Sequence, residues 1–237
     1  MNNLREITMS LAMVACSLSA SAQLNLVTSR AAFPSTDSVD WSILGPALTT
    51  VSSPFTTATA SGSTVTVSHN PGTLFERRDQ TTGLWFGNFS LGDALLWNRG
   101  DNGAITFDPA ALISGAGFNV QSDYQGAFTL KLEAFDSVGG LLGSVTRDGF
   151  SDLNIGTAIF IGFTSPFLNV DKFTATLVSA TAGPSDFAIN SLALSSFGSE
   201  PAVGVVAVPE PSTYGLIGVL ALLVLIGRQR LRRHSEA

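Results

Sequence analysis

The alternation of short apolar runs and turn residues in the second half of the chain constrains the fold most. Turn-forming residues recur there about every 8–12 residues, the spacing of β-sandwiches and barrels. We therefore predict an all-β domain in which two sheets pack face to face. The segments predicted as strands in this half are 116–120, 126–135, 141–147, 158–163, 170–178 and 187–194.

The segment 126–135 shows the clearest alternation. Phe128, Leu130 and Leu132 share one face and polar residues share the other. A hairpin loop is predicted at 136–140. In the first half, 63–68 alternates as a half-buried strand, and 37–44 fits either a helical turn or an edge strand.

Residues 1–22 have the pattern of a secretory signal peptide. An apolar stretch follows Arg5 and ends at the small residues Ala20 and Ala22, so that cleavage is predicted before Gln23. The only cysteine, Cys16, lies inside this segment. Lipoprotein processing at Cys16 is the alternative, and in neither case does the mature domain contain a disulfide framework.

The last thirty residues combine a proline motif, an apolar run and an arginine cluster. Pro209 and Pro211 flank Glu210 and favour an extended, accessible backbone. The uncharged run 214–227 is roughly 21 Å long as a helix, against a hydrocarbon core about 30 Å thick. A helix over about 213–231 would span it only with snorkelling arginines, so we predict a provisional anchor with its C-terminus in the cytoplasm. The arginines are Arg228, Arg230, Arg232 and Arg233.

Residues 209–233 resemble the PEP-CTERM sorting signal of Gram-negative bacteria. Pro209, Glu210 and Pro211 match the recognition motif of that family, and the short helix and the basic cluster follow in the same order. The resemblance implies recognition by an exosortase, a membrane protease, and transient residence in the inner membrane. It also implies release to the cell surface or the exopolysaccharide matrix of a biofilm. An ordinary single-pass anchor is the alternative.

Together, the signal peptide and this tail divide the chain into four parts: the signal peptide (1–22), an ectodomain (23–199), a linker (200–208) and the sorting signal (209–233). The order of hydrophobic segments in 115–195 resembles ectodomains that precede PEP-CTERM tails, and the closing strand resembles that of jelly-roll carbohydrate-binding modules. The resemblance implies a jelly-roll-like sandwich. It extends to hydrophobic pattern and not to ligand-binding residues.

The charge of the chain argues against nucleic acid as a partner. The net charge is −6, with 12 Lys and Arg against 18 Asp and Glu. Nucleic-acid binding needs clustered basic residues, and the cluster in this chain lies in the tail.

The ectodomain lacks the usual catalytic groups, and we predict that it is not an enzyme. His69, beside an Asn-Pro turn, is the only histidine before the tail, and no Gly-x-Ser-x-Gly motif is present. Two aspartate pairs remain as candidates for a glycosidase, namely Asp79 with Asp93 and Asp148 with Asp152. Most of these acids stand beside turn formers, where aspartate bonds to its own backbone.

Two kinds of binding site are predicted for the ectodomain. Trp85 and Trp97 are the best candidates for stacking on sugar rings, with Trp41 and Tyr124 as weaker ones; the alternative is that they fill the core. Oxygens near Asp101 and Asp148 could bind Ca²⁺, although the spacing of an EF-hand is absent. We therefore predict an exported matrix protein without a cofactor, and the alternative is a carbohydrate-binding module assisted by Ca²⁺.

Overall fold

The computed structural model of the protein describes residues 24–69, 73–81, 85–100, 103–181, 183 and 186–196. In these ranges no helix is long and apolar enough to cross a membrane. Two 3-10 helices, Arg30–Ala32 and Trp41–Leu44, lie on either side of the second strand. The strands are β1 (Asn25–Val27), β2 (Asp37–Val39), β3 (Thr50–Ser52), β4 (Phe55–Ala58), β5 (Thr64–Ser68), β6 (Leu74–Asp79), β7 (Ala94–Trp97), β8 (Ile105–Pro109), β9 (Gly115–Ser122), β10 (Gly126–Phe135), β11 (Leu141–Ser151), β12 (Ile159–Thr164), β13 (Lys172–Ala180), β14 (Phe187–Ile189) and β15 (Leu192–Ser195).

The strands form two antiparallel sheets, which confirms the predicted sandwich. Sheet A has the order β1-β12-β9-β14-β7-β6-β3, and β15 pairs with both β9 and β2. Sheet B has the order β11-β10-β13-β8-β5-β4. Non-consecutive strands are therefore neighbours in both sheets.

Aromatic side chains hold the two sheets together. Phe107 and Phe173 of sheet B stack with ring centroids 4.7 Å apart. Phe173 meets Phe163 of sheet A edge-on at 5.6 Å, and Phe107 lies 6.0 Å from Phe118. All four rings are fully buried. Since each buried phenylalanine removes a large apolar area from water, these contacts form the centre of the core.

The strand predictions were best where alternation was strict. β10 covers the predicted segment 126–135, and Phe128, Leu130 and Leu132 face the core as expected. The segment 37–44 contains both of its alternatives, because β2 is followed by a 3-10 helix. The single strand predicted over 187–194 is wrong. The strand is interrupted at Asn190 and Ser191, because the segment before them (β14) pairs with β7 whereas the segment after them (β15) pairs with β2.

Arg147 connects the edge of sheet B to sheet A. This residue lies on β11, the edge strand, and its Nη1 donates to the carbonyl of Thr28 at 2.5 Å and to the carbonyl of Phe160. Thr28 follows β1 and Phe160 lies on β12. Burial lowers the pKa of Arg147 from its ordinary value. The guanidinium thus links the two sheets at this edge of the sandwich.

Candidate functional site

A second, smaller apolar cluster covers the outer face of sheet A. On β7, Leu96 belongs to the main core, so its neighbours Leu95 and Trp97 point the opposite way. They pack there with Trp85, Phe89 and Ala188. Trp85 and Phe89 come from the β6–β7 loop, which therefore folds back over the sheet.

Gln121 holds this loop in place. Its side chain extends from the outer face of β9 and is 2% exposed. The Oε1 atom accepts hydrogen bonds from Trp85 Nε1 at 3.0 Å and from Asn88 N at 2.8 Å. Its Nε2 donates to the carbonyl of Asp152 at 3.4 Å, in the β11–β12 loop. One amide thus positions two loops over the sheet.

The two loops and the turn after β9 line an open cavity of about 310 Å³ together with β6 and β7. Phe86 and Leu153 stand at its rim, where they are 62% and 58% exposed. An exposed phenylalanine at the mouth of a partly polar cavity is an apolar contact surface available to a ligand. The lining residues are Arg78, Trp85, Phe86, Trp97, Asp123, Gln125 and Leu153.

Trp97 is held in a defined orientation at this cavity. Its Nε1 donates to Asp186 Oδ2 at 2.9 Å, and the guanidinium carbon of Arg78 lies 4.7 Å from the ring centroid. The rings of Trp85 and Trp97 meet edge-on, with centroids 6.1 Å apart. Because the hydrogen bond to Asp186, the guanidinium of Arg78 and the ring of Trp85 all contact the indole, its orientation is fixed before a ligand binds.

Charged groups of both signs surround the indole. The buried carboxylate of Glu76 pairs with Arg78 and, at 3.3 Å, with Arg99. Asp123 is exposed, but partial desolvation of its carboxyl, with the nearby charge of Asp186, raises its pKa above the ordinary value, while Arg78 opposes this rise. The cavity therefore offers a guanidinium, a carboxyl and the amide of Gln125 around an aromatic surface.

The structure brings together the two tryptophans predicted to stack on sugar, but their rings differ in exposure. Trp97 is half-buried and lines the cavity. Trp85 also lines it, yet it is only 6% exposed, so most of its ring packs in the small cluster. Trp41 is fully buried in the main core, and Tyr124 is exposed without lining the cavity.

The residues considered for catalysis are each engaged in local contacts, although Asp79 pairs across the sheet with Ala94, the residue after Asp93. His69 is buried edge-on against Phe75, with ring centroids 3.9 Å apart, and its Nδ1 contacts the Thr73 hydroxyl. Asp79 pairs with Arg77. Asp93 accepts a hydrogen bond from Ser90 N at 3.2 Å, as a turn former does.

The second aspartate pair is likewise engaged in separate local contacts. Asp148 accepts from the Thr129 hydroxyl at 2.7 Å on the outer face of sheet B. Asp152 accepts from Asn88 Nδ2 at 2.5 Å and from Asn154 N at 2.8 Å. Among the residues that the structure describes, no three His, Cys, Asp or Glu side chains are grouped to hold a metal ion. Asp101 lies outside those residues, and Ca²⁺ binding stays a prediction.

The predicted processing residues also lie outside the described part of the chain. They are Ala20, Ala22 and Gln23 of the signal peptide, Pro209, Glu210 and Pro211 of the sorting motif, and Arg228, Arg230, Arg232 and Arg233 of the basic cluster. The linker 200–208 and the helix predicted near 213–231 are outside it as well.

Sequence reasoning missed the polar half of the cavity. Arg78 and Glu76 lie on β6, and Asp123 lies in the turn after β9, far away along the chain. A signal was present in the strand Leu74–Asp79, where four consecutive charged residues end a segment that begins with Leu-Phe. Because charged residues are seldom buried unless they are paired, such a run next to an apolar segment indicates a polar site.

Comparison with known proteins assigns no family to the chain. No family profile matches the chain, and no curated protein matches it. Among solved structures, a family 6 carbohydrate-binding module studied by binding sub-site dissection aligns with a TM-score of 0.34 at 8% identity, covering 64% of this chain and 95% of that one. A DUF4465 family protein from Bacteroides caccae gives 0.36 at 10%, covering 72% and 99%. CsCBM6-3 from Clostridium stercorarium, in complex with cellobiose, gives 0.27 at 15%, covering 51% and 88%. At these scores and identities the similarities carry no information about a ligand.

Proposed function

We propose that the β-sandwich is a non-catalytic carbohydrate-binding domain whose ligand occupies the cavity at Trp97. The observation that carries this proposal is the combination of an oriented indole with Arg78, Asp123 and Gln125 in one cavity of about 310 Å³. Sugar rings present an apolar face and a polar rim. An aromatic platform bordered by hydrogen-bond donors and acceptors matches both.

The geometry favours ligand binding over catalysis. Glycosidases need two carboxyls facing each other about 5–9.5 Å apart across the scissile bond. The acid lining this cavity is Asp123. The nearby Asp186 is buried, and its Oδ2 accepts from Trp97 Nε1 and from Gly100 N. Asp186 therefore orients the platform instead of facing the ligand.

Binding can be tested by affinity electrophoresis of the full-length chain through gels containing neutral or acidic polysaccharides. The detergent should carry no sugar headgroup. Trp97→Ala should lower the affinity at least about tenfold, since buried tryptophans at interfaces contribute about 2 kcal/mol or more. Phe86→Ala should weaken binding severalfold without disturbing the fold, because the ring is already 62% exposed.

Phe167→Ala is the matched control. Phe167 is 60% exposed and lies beside the start of β9, where Ser165 N bonds to the carbonyl of Ser114. Its replacement should leave the affinity unchanged. If the Trp97 and Phe86 variants bound as well as the unmodified chain, the cavity would not be the binding site.

The second part of the proposal concerns delivery. We propose that the protein is exported, held transiently in the inner membrane, and processed by an exosortase-like protease near Pro209. It then joins the exopolysaccharide matrix at the cell surface. The support is the sequence: a signal peptide before Gln23 and the ordered motif, apolar run and arginines of the tail. Intact mass spectrometry of extracellular and membrane fractions tests it. We expect a released species that begins at Gln23 and ends near Pro209, and a cytoplasmic protein with both termini intact would contradict it.

A further inference from the structure

Sheet A contains a fork that forms a second polar site. β14 and β15 both pair with β9, but their other neighbours are β7 and β2, respectively. The two neighbours diverge where the chain passes from β14 to β15, at Asn190 and Ser191. Backbone groups at such a divergence are not all used by the sheet, so polar groups collect there.

Two cavities meet at this fork. One, of about 270 Å³, is lined by Arg30, Asn88, Asn119 and Asn190, together with Asp93 and Ser191. The other, of about 200 Å³, is lined by Asp40, Ser42 and Arg77, and again by Asp93 and Ser191. Because they share two residues, the cavities adjoin. Neither shares a lining residue with the cavity at Trp97.

The polar side chains of the larger cavity fix one another. Arg30 donates from Nε to Asn119 Oδ1 at 2.9 Å, and from Nη2 to Asn190 Oδ1 at 2.7 Å and to the carbonyl of Ser191 at 2.8 Å. Asn190 Nδ2 donates to Asp93 Oδ2 at 3.2 Å. The guanidinium also lies over the ring of Phe160, 5.2 Å from its centroid. The site is thus preorganised before any ligand enters.

Hydrogen-bonding capacity remains in both cavities. Nη1 of Arg30 and Oδ1 of Asp93 form no side-chain hydrogen bond with the residues that the structure describes. Arg77 has a side chain only 8% exposed. Its buried Nε likewise has no hydrogen-bond partner in the described part of the chain. Buried donors are normally paired, so an unused one at a cavity wall indicates a place for an acceptor.

We propose that the fork binds a neutral, polyhydroxylated ligand, namely sugar units of a neutral glycan, independently of the Trp97 cavity. The charged lining residues are two arginines and two aspartates. An anionic ligand would therefore be repelled by the aspartates and a cationic ligand by the arginines. Amide, guanidinium and carboxylate groups supply the paired donors and acceptors that neighbouring hydroxyls use. Phe89, the one ring lining the larger cavity, is 1% exposed and offers no stacking surface.

Fluorine NMR of the full-length chain labelled with 5-fluorotryptophan can distinguish the two sites. The chain has three tryptophans. Trp41 donates from Nε1 to the carbonyl of Asn190 at 2.8 Å and therefore reports on the fork. Trp85 and Trp97 report on the other cavity. The resonances are assigned with single Trp→Phe variants. The probes are neutral tetrasaccharides of glucose, mannose and galactose, with trigalacturonate as the acidic comparison.

We expect at least one neutral tetrasaccharide to shift the Trp41 resonance with saturation. Asp93→Asn should weaken that titration about tenfold or more, because hydrogen bonds to a charged group are the stronger ones. Asp108→Asn, on the exposed face of sheet B, is the matched control and should leave it unchanged. Unchanged Trp85 and Trp97 resonances in the ligand-free spectrum show that Asp93→Asn still folds.

Each other result overturns a distinct claim. Shifts confined to Trp85 and Trp97 would refute the fork and keep the proposed function. A shift of Trp41 alone would support the fork and refute the Trp97 cavity. A Trp41 shift with trigalacturonate only would refute the assigned ligand class. A Trp41 shift that Asp93→Asn does not weaken would refute the assigned location. The absence of any shift would refute both sites.

Discussion

Gln121 connects the sandwich to the loops that build the Trp97 cavity, and its removal has a calculable effect. In Gln121→Ala, Trp85 Nε1 and Asn88 N lose their common acceptor. Both residues are buried. A buried donor without a partner costs about 1–3 kcal/mol. With two such donors, we expect the free energy of unfolding to fall by about 2–6 kcal/mol, a large part of the 5–15 kcal/mol typical of a domain.

Gly87 provides a stricter test of the same contact. A methyl group added at Gly87 would overlap the carboxamide of Gln121. Gly87→Ala should thus destabilise the chain, but much less so when Gln121 is already alanine, because the space is then open. The expected coupling energy in this double-mutant cycle is about 1–3 kcal/mol.

Urea denaturation, followed by tryptophan fluorescence, gives the free energy of unfolding of Gln121→Ala, of Gly87→Ala and of the double variant. Gln125→Ala is the matched control, since Gln125 is exposed, and it should change stability by less than about 0.5 kcal/mol. A loss below about 1 kcal/mol in Gln121→Ala, or additive effects in the cycle, would refute the role assigned to this amide.

Three further predictions concern the core, the titration of the cavity and the tail. Phe173→Ala should lower the free energy of unfolding by about 3–5 kcal/mol in the same urea assay, because it opens a void between the sheets; an unchanged midpoint would contradict the described core. Asp123→Asn should raise the melting temperature at pH 7, since a raised folded-state pKa means that ionisation of Asp123 weakens folding as the pH rises above about 4. Calorimetry should show that gain disappear below about pH 4, and a gain that persists there would have another cause. Replacing residues 209–211 by three alanines should keep the protein in the inner-membrane fraction, and a normally processed mass would show that this motif is not recognised.

Much of the fold follows from local pattern, but the site does not. Strict alternation predicted β10, because one face of that strand meets the core and the other meets water. The break at Asn190 could not be predicted in this way, since it arises from pairing with two strands that are distant in sequence. The Trp97 cavity combines β6, β7, two loops and a turn. Aromatic residues indicated part of it, whereas Arg78 and Asp123 become neighbours only through sheet order.

Arg147 bears on how the protein behaves when it accumulates. The outermost strand of sheet B, β11, is 11 residues long and contains no proline, so by length alone it invites a strand of another molecule to add alongside. Its arginine, however, is bonded to the carbonyls of Thr28 and Phe160 across the sandwich. Pulling β11 out of the sandwich would leave the Thr28 and Phe160 carbonyls without this donor. Arg147 therefore opposes exchange of this long edge strand between two molecules, the route by which domain-swapped dimers form.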